Sequence, residues 1–176
     1  MRASLKALST LLSYPDDDFK LLYNNRDELV DALSREDPEV ASLVNEFLDK
    51  IDPESADETY VAVFEMPPKC SLYAHEYLLH GKEEELGRFL LELKGIYKIH
   101  GVDAPLKKEI PDFLPLMLEF LALVYDVDRE EARRFAKRYL KKWIGELARC
   151  LEKEGSPYAL LARAVEKIVN DLAQAR

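Results

Sequence analysis

Histidine and cysteine are scarce here: three of the one and two of the other in 176 residues. Cys70 and Cys150 match neither the CxxC redox spacing nor a zinc pair, and two thiols cannot make a disulfide framework. They read as small buried hydrophobes, the common state of an unpaired cysteine, with one long-range disulfide left open. No apolar run reaches the ~18 residues of a membrane span. The opening MRASLKALSTLLSYPDDD sets Arg2 and Lys6 ahead of apolar residues, as an export signal would. Ser9, Thr10 and Ser13 interrupt the run, Pro15 and three aspartates follow, and no small-x-small cleavage site appears, so it reads as an amphipathic first helix. GxSxG, Gly-rich phosphate loops and EF-hand loops are missing too, which removes the parts of the usual nucleophile, nucleotide and metal sites. Positive charge is in deficit: 25 Lys and Arg against 34 Asp and Glu give a net charge of -9. That balance repels phosphate backbones and anionic headgroups, arguing against nucleic acid and stable membrane insertion, and it suits a basic partner.

What is present points to a helical protein. An apolar share of 48% and a charged share of 34% supply a core and a solvated surface in a chain of one-domain length. Residues 1–176 are expected to form a single all-helical domain. Apolar residues recur at helical spacing and nowhere alternate with period two. Leu5, Leu8, Leu11 and Leu12 make a first stripe; Pro15 opens a short helix through Phe19, and a third runs near Leu29 to Leu33. Pro38 opens a helix to Ile51, and Pro67 and Pro68 stop the one bearing Tyr60, Val63 and Phe64. Ser71 is placed to cap a helix closing at His80 and Gly81. In the helix from Leu86 to Tyr97, the spacing of Gly87 and Gly95 implies close helix packing. His100 and Gly101 end it, and a loop from Val102 to Glu109 leads to Pro111 and Asp112, placed to cap the helix Leu114 to Tyr125. Asp128 and Glu131 form a capping-box-like start for one helix with Ala132, Phe135, Tyr139, Trp143, Leu147 and Leu151 on one face. Gly155 stops it before a last helix from Tyr158 to Leu172. The fold class is an all-α, single-domain bundle of roughly eight helices.

Catalytic chemistry finds little support. His75, Glu76 and His80 approximate the zinc-binding HExxH, but histidines five apart are turned about 140° from one another around a helix, and position 79 is Leu79. A small helical metal-binding enzyme using these three residues is the alternative reading. More distinctive are two proline-marked stretches, FEMPPKCSLYAHEY and EIPDFLPLMLEFL. Their Tyr73, Tyr77, Phe113, Met117 and Phe120 offer adaptable aromatic and thioether surface to a partner.

The order YVAVFE (Tyr60 to Glu65), SLYAHEYLLHG (Ser71 to Gly81), Tyr97 with Gly101, and EIPDFLPLMLEFL (Glu109 to Leu121) resembles the NarJ and TorD/DmsD redox-enzyme maturation chaperones, closest to the NarJ or nitrate reductase delta type. The resemblance implies a cytoplasmic helical bundle that is not an enzyme and holds no cofactor. Its partner would be the catalytic subunit of a molybdenum or tungsten oxidoreductase, bound through a twin-arginine-signal-like N-terminal peptide until molybdopterin is inserted, before export or membrane docking. Cofactor-insertion proteins are further candidate partners, and a monomer is expected with a dimer left open. The implied peptide-binding residues are Tyr73, Glu76, Tyr77, Pro111, Asp112, Phe113, Leu116, Met117, Glu119 and Phe120. The family commonly reads PDH at this hinge, whereas Phe113 stands here, replacing a hydrogen-bonding group with an apolar one. A basic segment followed by an apolar helix-former calls for a hydrophobic groove with carboxylates at one end.

Overall fold

The computed structural model describes residues 1–102 and 109–175; the middle of the loop expected between Val102 and Glu109 lies outside them. Eleven α-helices and one π-helical turn occur among the described residues, with no strand beyond a single isolated bridge from Tyr73 to Phe113. The all-α class holds, with more and shorter helices than eight.

At the centre lies α11 (Tyr158–Gln174), whose apolar stripe is sealed on α4 (Pro38–Lys50) and α10 (Ile144–Lys153). Helix α1 (Arg2–Leu11) buries Leu5, Leu8 and Leu11 chiefly against α8 (Leu114–Val124), and α3 (Arg26–Glu36) packs on α4. The short α2 (Asp17–Asn24) touches both α1 and α3, and α5 (Ala56–Phe64) follows α4. Local signals set several boundaries. Pro38 occupies the first turn of α4 behind an Asp37 cap. Asp128 accepts from the Glu131 N–H at 2.9 Å to start α9 (Arg129–Phe135), satisfying a helix-end donor that would otherwise be orphaned.

Three sequence expectations change. The helix expected from Asp128 to Leu151 is divided by a π turn at Ala136–Leu140, closed by a Lys141 N–H to Ala136 C=O bond of 2.9 Å. The inward residues Phe135, Tyr139, Trp143, Leu147 and Leu151 follow a strict four-residue step. In a pure α-helix each such step drifts about 40°, so one wide turn is needed to keep all five buried. Gly87 and Gly95 lie on the exposed side of the peripheral α7 (Glu83–Ile99), where an added Cβ would meet nothing within 4 Å. No close packing follows from them. Finally, Cys70 and Cys150 are joined, with Cα atoms 6.0 Å apart. The segment after α5 lies along α10, with Lys69 3.6 Å from Glu154 and Tyr77 stacked on Trp143, and this brings residues 80 apart in sequence together.

Candidate functional site

The two proline-marked stretches meet each other. Helix α6 (Ala74–Leu78) begins where Asp112 reaches it: the Ala74 N–H donates to the Asp112 carbonyl at 3.1 Å, the His75 N–H to Asp112 Oδ2 at 2.8 Å, and His75 Nδ1 lies 2.7 Å from the same oxygen. In return the Leu114 N–H donates to the Leu72 carbonyl at 2.8 Å. Asp112 is 0% exposed and its Oδ1 has no partner among the described residues, an arrangement that demands a reason, because burying a carboxylate is costly unless it is well bonded. Tyr97 donates to the Pro111 carbonyl at 2.7 Å from below, and Tyr73 donates to Glu109 at 2.8 Å above. Burial, then the Glu109 acceptor, push the Tyr73 hydroxyl above the usual tyrosine range; burial does the same to Tyr97. The result is a clasp between residues 71–77 and 109–114. Asp112 therefore caps α6, across the clasp, and not the helix that follows it, whose N-cap is Phe113. Ser71 caps no helix: its hydroxyl accepts from the Tyr73 N–H, two residues short of the first turn of α6.

Beside the clasp, the outer face of α8 and the end of α7 enclose a concavity of about 460 Å³. Leu116, Phe120, Leu123 and Val124 form its floor, Val102 and Val127 its sides, and Glu119 and His100 its polar rim. Val127 is 87% exposed and Ile99, next to His100, is 82% exposed. Exposed apolar side chains gathered around a hollow are the ordinary mark of a binding surface. The His100 ring Nδ1 lies 3.0 Å from the Ile96 carbonyl at the end of α7, as a helix-terminal histidine would.

A protein-family model described as nitrate reductase delta subunit matches residues 30–159. The chain belongs to this family. It is 36% identical over 170 residues to the Bacillus subtilis (strain 168) "Probable nitrate reductase molybdenum cofactor assembly chaperone NarJ", covering 94% of this chain and 89% of that protein. Against the Escherichia coli (strain K12) nitrate reductase molybdenum cofactor assembly chaperone NarJ the identity is 28%, over 94% of this chain and 69% of the relative. A crystal structure of a protein assigned to redox enzyme maturation in Archaeoglobus fulgidus superposes with a TM-score of 0.69 at 23% identity, covering 97% of this chain and 94% of that one. That likeness concerns the fold.

Within this delta-family fold, eight of the ten residues singled out from the sequence fall into two groups, and Glu76 and Met117 belong to neither. Pro111, Asp112, Phe113 and Tyr73 build the clasp, where the Tyr73 and Phe113 rings pack at 5.2 Å; Tyr77 braces it by stacking on Trp143 and exchanging hydrogen bonds with the Ser71 backbone. Glu76 is exposed, 3.4 Å from His75 Nε2. Leu116, Glu119 and Phe120 share the concavity, while Met117 is 0% exposed and faces the core. The five side chains expected to line one groove are thus not brought onto one surface, because Tyr73, Tyr77 and Phe113 belong to the clasp and Met117 lies on the buried side of α8. The metal reading fares worse. The His75 ring is committed to Asp112, α6 ends at Leu78 before His80, and no group of three metal-ligating side chains comes together among the described residues. Sequence reasoning missed Tyr97 as the prop under Pro111, and Leu123 and Val127 as groove wall. For Tyr97 the signal was its place in the family pattern; for the other two it was Glu119, four and eight residues earlier, which marks the side of the helix that meets solvent.

Proposed function

We propose that this chain is an assembly chaperone for a molybdenum-containing nitrate reductase, working in the cytoplasm as one domain spanning residues 1–176. It binds the leading segment of the catalytic subunit as an amphipathic helix and keeps that subunit open for cofactor insertion. The observation that carries this reading is the apolar concavity of about 460 Å³ on α8, whose floor offers Leu116, Phe120 and Leu123 to the apolar face of a helix and whose rim carries Glu119 for a basic client residue. Three or four client side chains, each contributing about 1.5–3 kcal/mol on burial, would outweigh the cost of ordering a short peptide. The names borne by the relatives supply the class of client. In this reading the chain transfers no chemical group, and the clasp is the rigid frame that presents the groove. Among the described residues no helix is long and apolar enough to cross a membrane.

Calorimetry with a peptide from the N-terminus of the nitrate reductase catalytic subunit encoded beside this chain tests the proposal. Binding in the micromolar range or tighter is expected, lost with Leu123→Asp and weakened with Glu119→Lys. No heat at tens of micromolar with the unaltered chain would overturn it.

A further inference from the structure

Seven of the 25 Lys and Arg residues fall in the fourteen positions from Arg129 to Lys142, against two carboxylates. The segment carries a net charge of +5 inside a chain of -9, so this concentration is no by-product of composition. Four of the seven, Arg134, Lys137, Arg138 and Lys142, line one concavity of about 520 Å³ whose floor includes Tyr139. All four are exposed at the surface.

The backbone holds them there. Arg134, Arg138 and Lys142 step by four, as do the buried residues beneath them, so the π turn at Ala136–Leu140 that keeps Tyr139 and Trp143 inward also keeps these cations on one face. In a plain α-helix, Lys142 would lie about 80° around from Arg134. Like charges gathered in register repel one another, and internal compensation is partial. Arg134 pairs with Glu131 at 2.8 Å and Arg138 with Glu92 at 2.5 Å, while Lys137 and Lys142 form no ion pair among the described residues. The Arg138 guanidinium lies 5.2 Å from the Tyr139 ring centroid, which orients its fork. A π turn is rare and costs regular helix bonding, and such turns concentrate at functional sites.

We propose that this basic concavity is a binding site for a phosphate-bearing anion, held by the Arg134 and Arg138 forks and by the ammonium groups of Lys137 and Lys142. Guanidinium groups match phosphate oxygens two at a time, and lysines add point charge. A hollow lined by four cations and one carboxylate, Glu131, keeps a positive excess and suits a compact, multiply charged anion better than an extended acidic polypeptide. The site lies on α9, the π turn and the residues just after it, apart from the α8 groove, and stands independently of the client reading.

Titration calorimetry of the full chain with inorganic pyrophosphate, together with flotation on phosphatidylglycerol–phosphatidylcholine vesicles, tests this. The variant Lys137→Glu/Lys142→Glu should weaken binding by about tenfold or more, and added salt should weaken the unaltered chain as well. The charge-matched control Lys20→Glu/Lys153→Glu, on α2 and α10, should leave binding nearly unchanged. Pyrophosphate binding without flotation assigns the site to a free ligand, and flotation alone assigns it to a lipid headgroup; either supports the shared chemistry. No binding of millimolar pyrophosphate or of vesicles overturns the proposal, as does equal weakening by both variant pairs. Capture of polyglutamate in place of both would overturn it in favour of an acidic protein partner.

Discussion

Just before α8 the Asp112 carboxylate is sealed from water and committed to the first turn of α6, while Leu123 on the outer face of α8, and Val127 just past its end, stay open to solvent. One helix and its flanks thus carry a polar junction buried inside the protein and an apolar surface left outside it, the reverse of what solvation alone would arrange. Both departures cost stability, and they cost it for different reasons. Buried polar groups fix one arrangement of the chain when their partners are supplied within the fold, whereas exposed apolar groups have value only when another molecule covers them. Damage to the clasp should therefore appear as loss of folding, and damage to the groove as loss of binding with folding intact.

The largest effect should come from Asp112→Ala. It leaves both the His75 ring and the His75 backbone N–H without their acceptor at a part-buried position, and each such orphaned donor costs about 1–3 kcal/mol. Urea denaturation should show this as a lower midpoint with little change in slope. Asp112→Asn, which still accepts from the His75 N–H, should recover part of the loss. If Asp112→Ala instead left stability unchanged and abolished only peptide binding, the division between clasp and groove would be wrong.

Second in size is the cross-link between Cys70 and Cys150, which ties the approach to the clasp onto α10. Closing a loop of 80 residues stabilises a fold by about 2–4 kcal/mol, chiefly by restricting the unfolded chain. Cys70→Ser/Cys150→Ser should lower the urea midpoint relative to the oxidised protein. Reductant should move the parent by a similar amount and leave the variant where it is. Groove binding should survive in both, because neither cysteine lines the concavity.

Third, Leu123→Ala removes apolar surface that is 41% exposed in the free protein. Stability should shift by under about 1 kcal/mol, since little buried area is lost. Client-peptide affinity should fall on the order of tenfold, the equivalent of roughly 1.4 kcal/mol. Comparable losses of stability and affinity would mean that α8 is simply core at this position.

These expectations also mark how far the sequence could be read. The α1 stripe, the Pro38 start and the Asp128 cap were legible because each is written within one turn of chain. The π turn was present in the strict four-residue step from Phe135 to Leu151, a period no single α-helix can keep on one face, though the step reads at first as an ordinary amphipathic pattern. Asp112 was legible as a helix cap, but not as the cap of a helix 37 residues earlier in the chain, because nothing local records a long-range partner. The joining of Cys70 to Cys150 was an open alternative that the sequence could not decide, for the same reason. The groove was only half marked: Glu119 is the one charged residue of α8 and Leu123 lies one turn beyond it on the same face, yet in a run otherwise apolar Met117, which is buried, and Leu123, which is not, look alike. Fold class and the hinge were therefore readable, while the division of α8 into an inner and an outer face required coordinates.

The smallest effect lies outside both regions and controls for them. Glu36, ending α3, accepts from the Ser4 hydroxyl at 2.7 Å and from the Ser4 and Ala3 N–H groups, and it pairs with the Met1 ammonium at 2.6 Å. Burial pushes its carboxyl up, but these contacts outweigh that and bring it from the usual 4.5 down to about 2. A depressed carboxyl stabilises the fold only while ionised, so its contribution is complete above pH 4.5 and fades as pH falls toward 2. Much of that contribution is screened where the site meets solvent. Unfolding midpoints measured at about pH 6 and about pH 3 should fall more for the parent than for Glu36→Gln, whose amide cannot titrate. Client-peptide affinity at neutral pH should be the same in both, because neither Glu36 nor any residue of α1 lines the groove. A change in affinity without a change in stability would show that the two sides of α8 are coupled, and the separation of clasp from groove would then have to be redrawn as a single responsive unit.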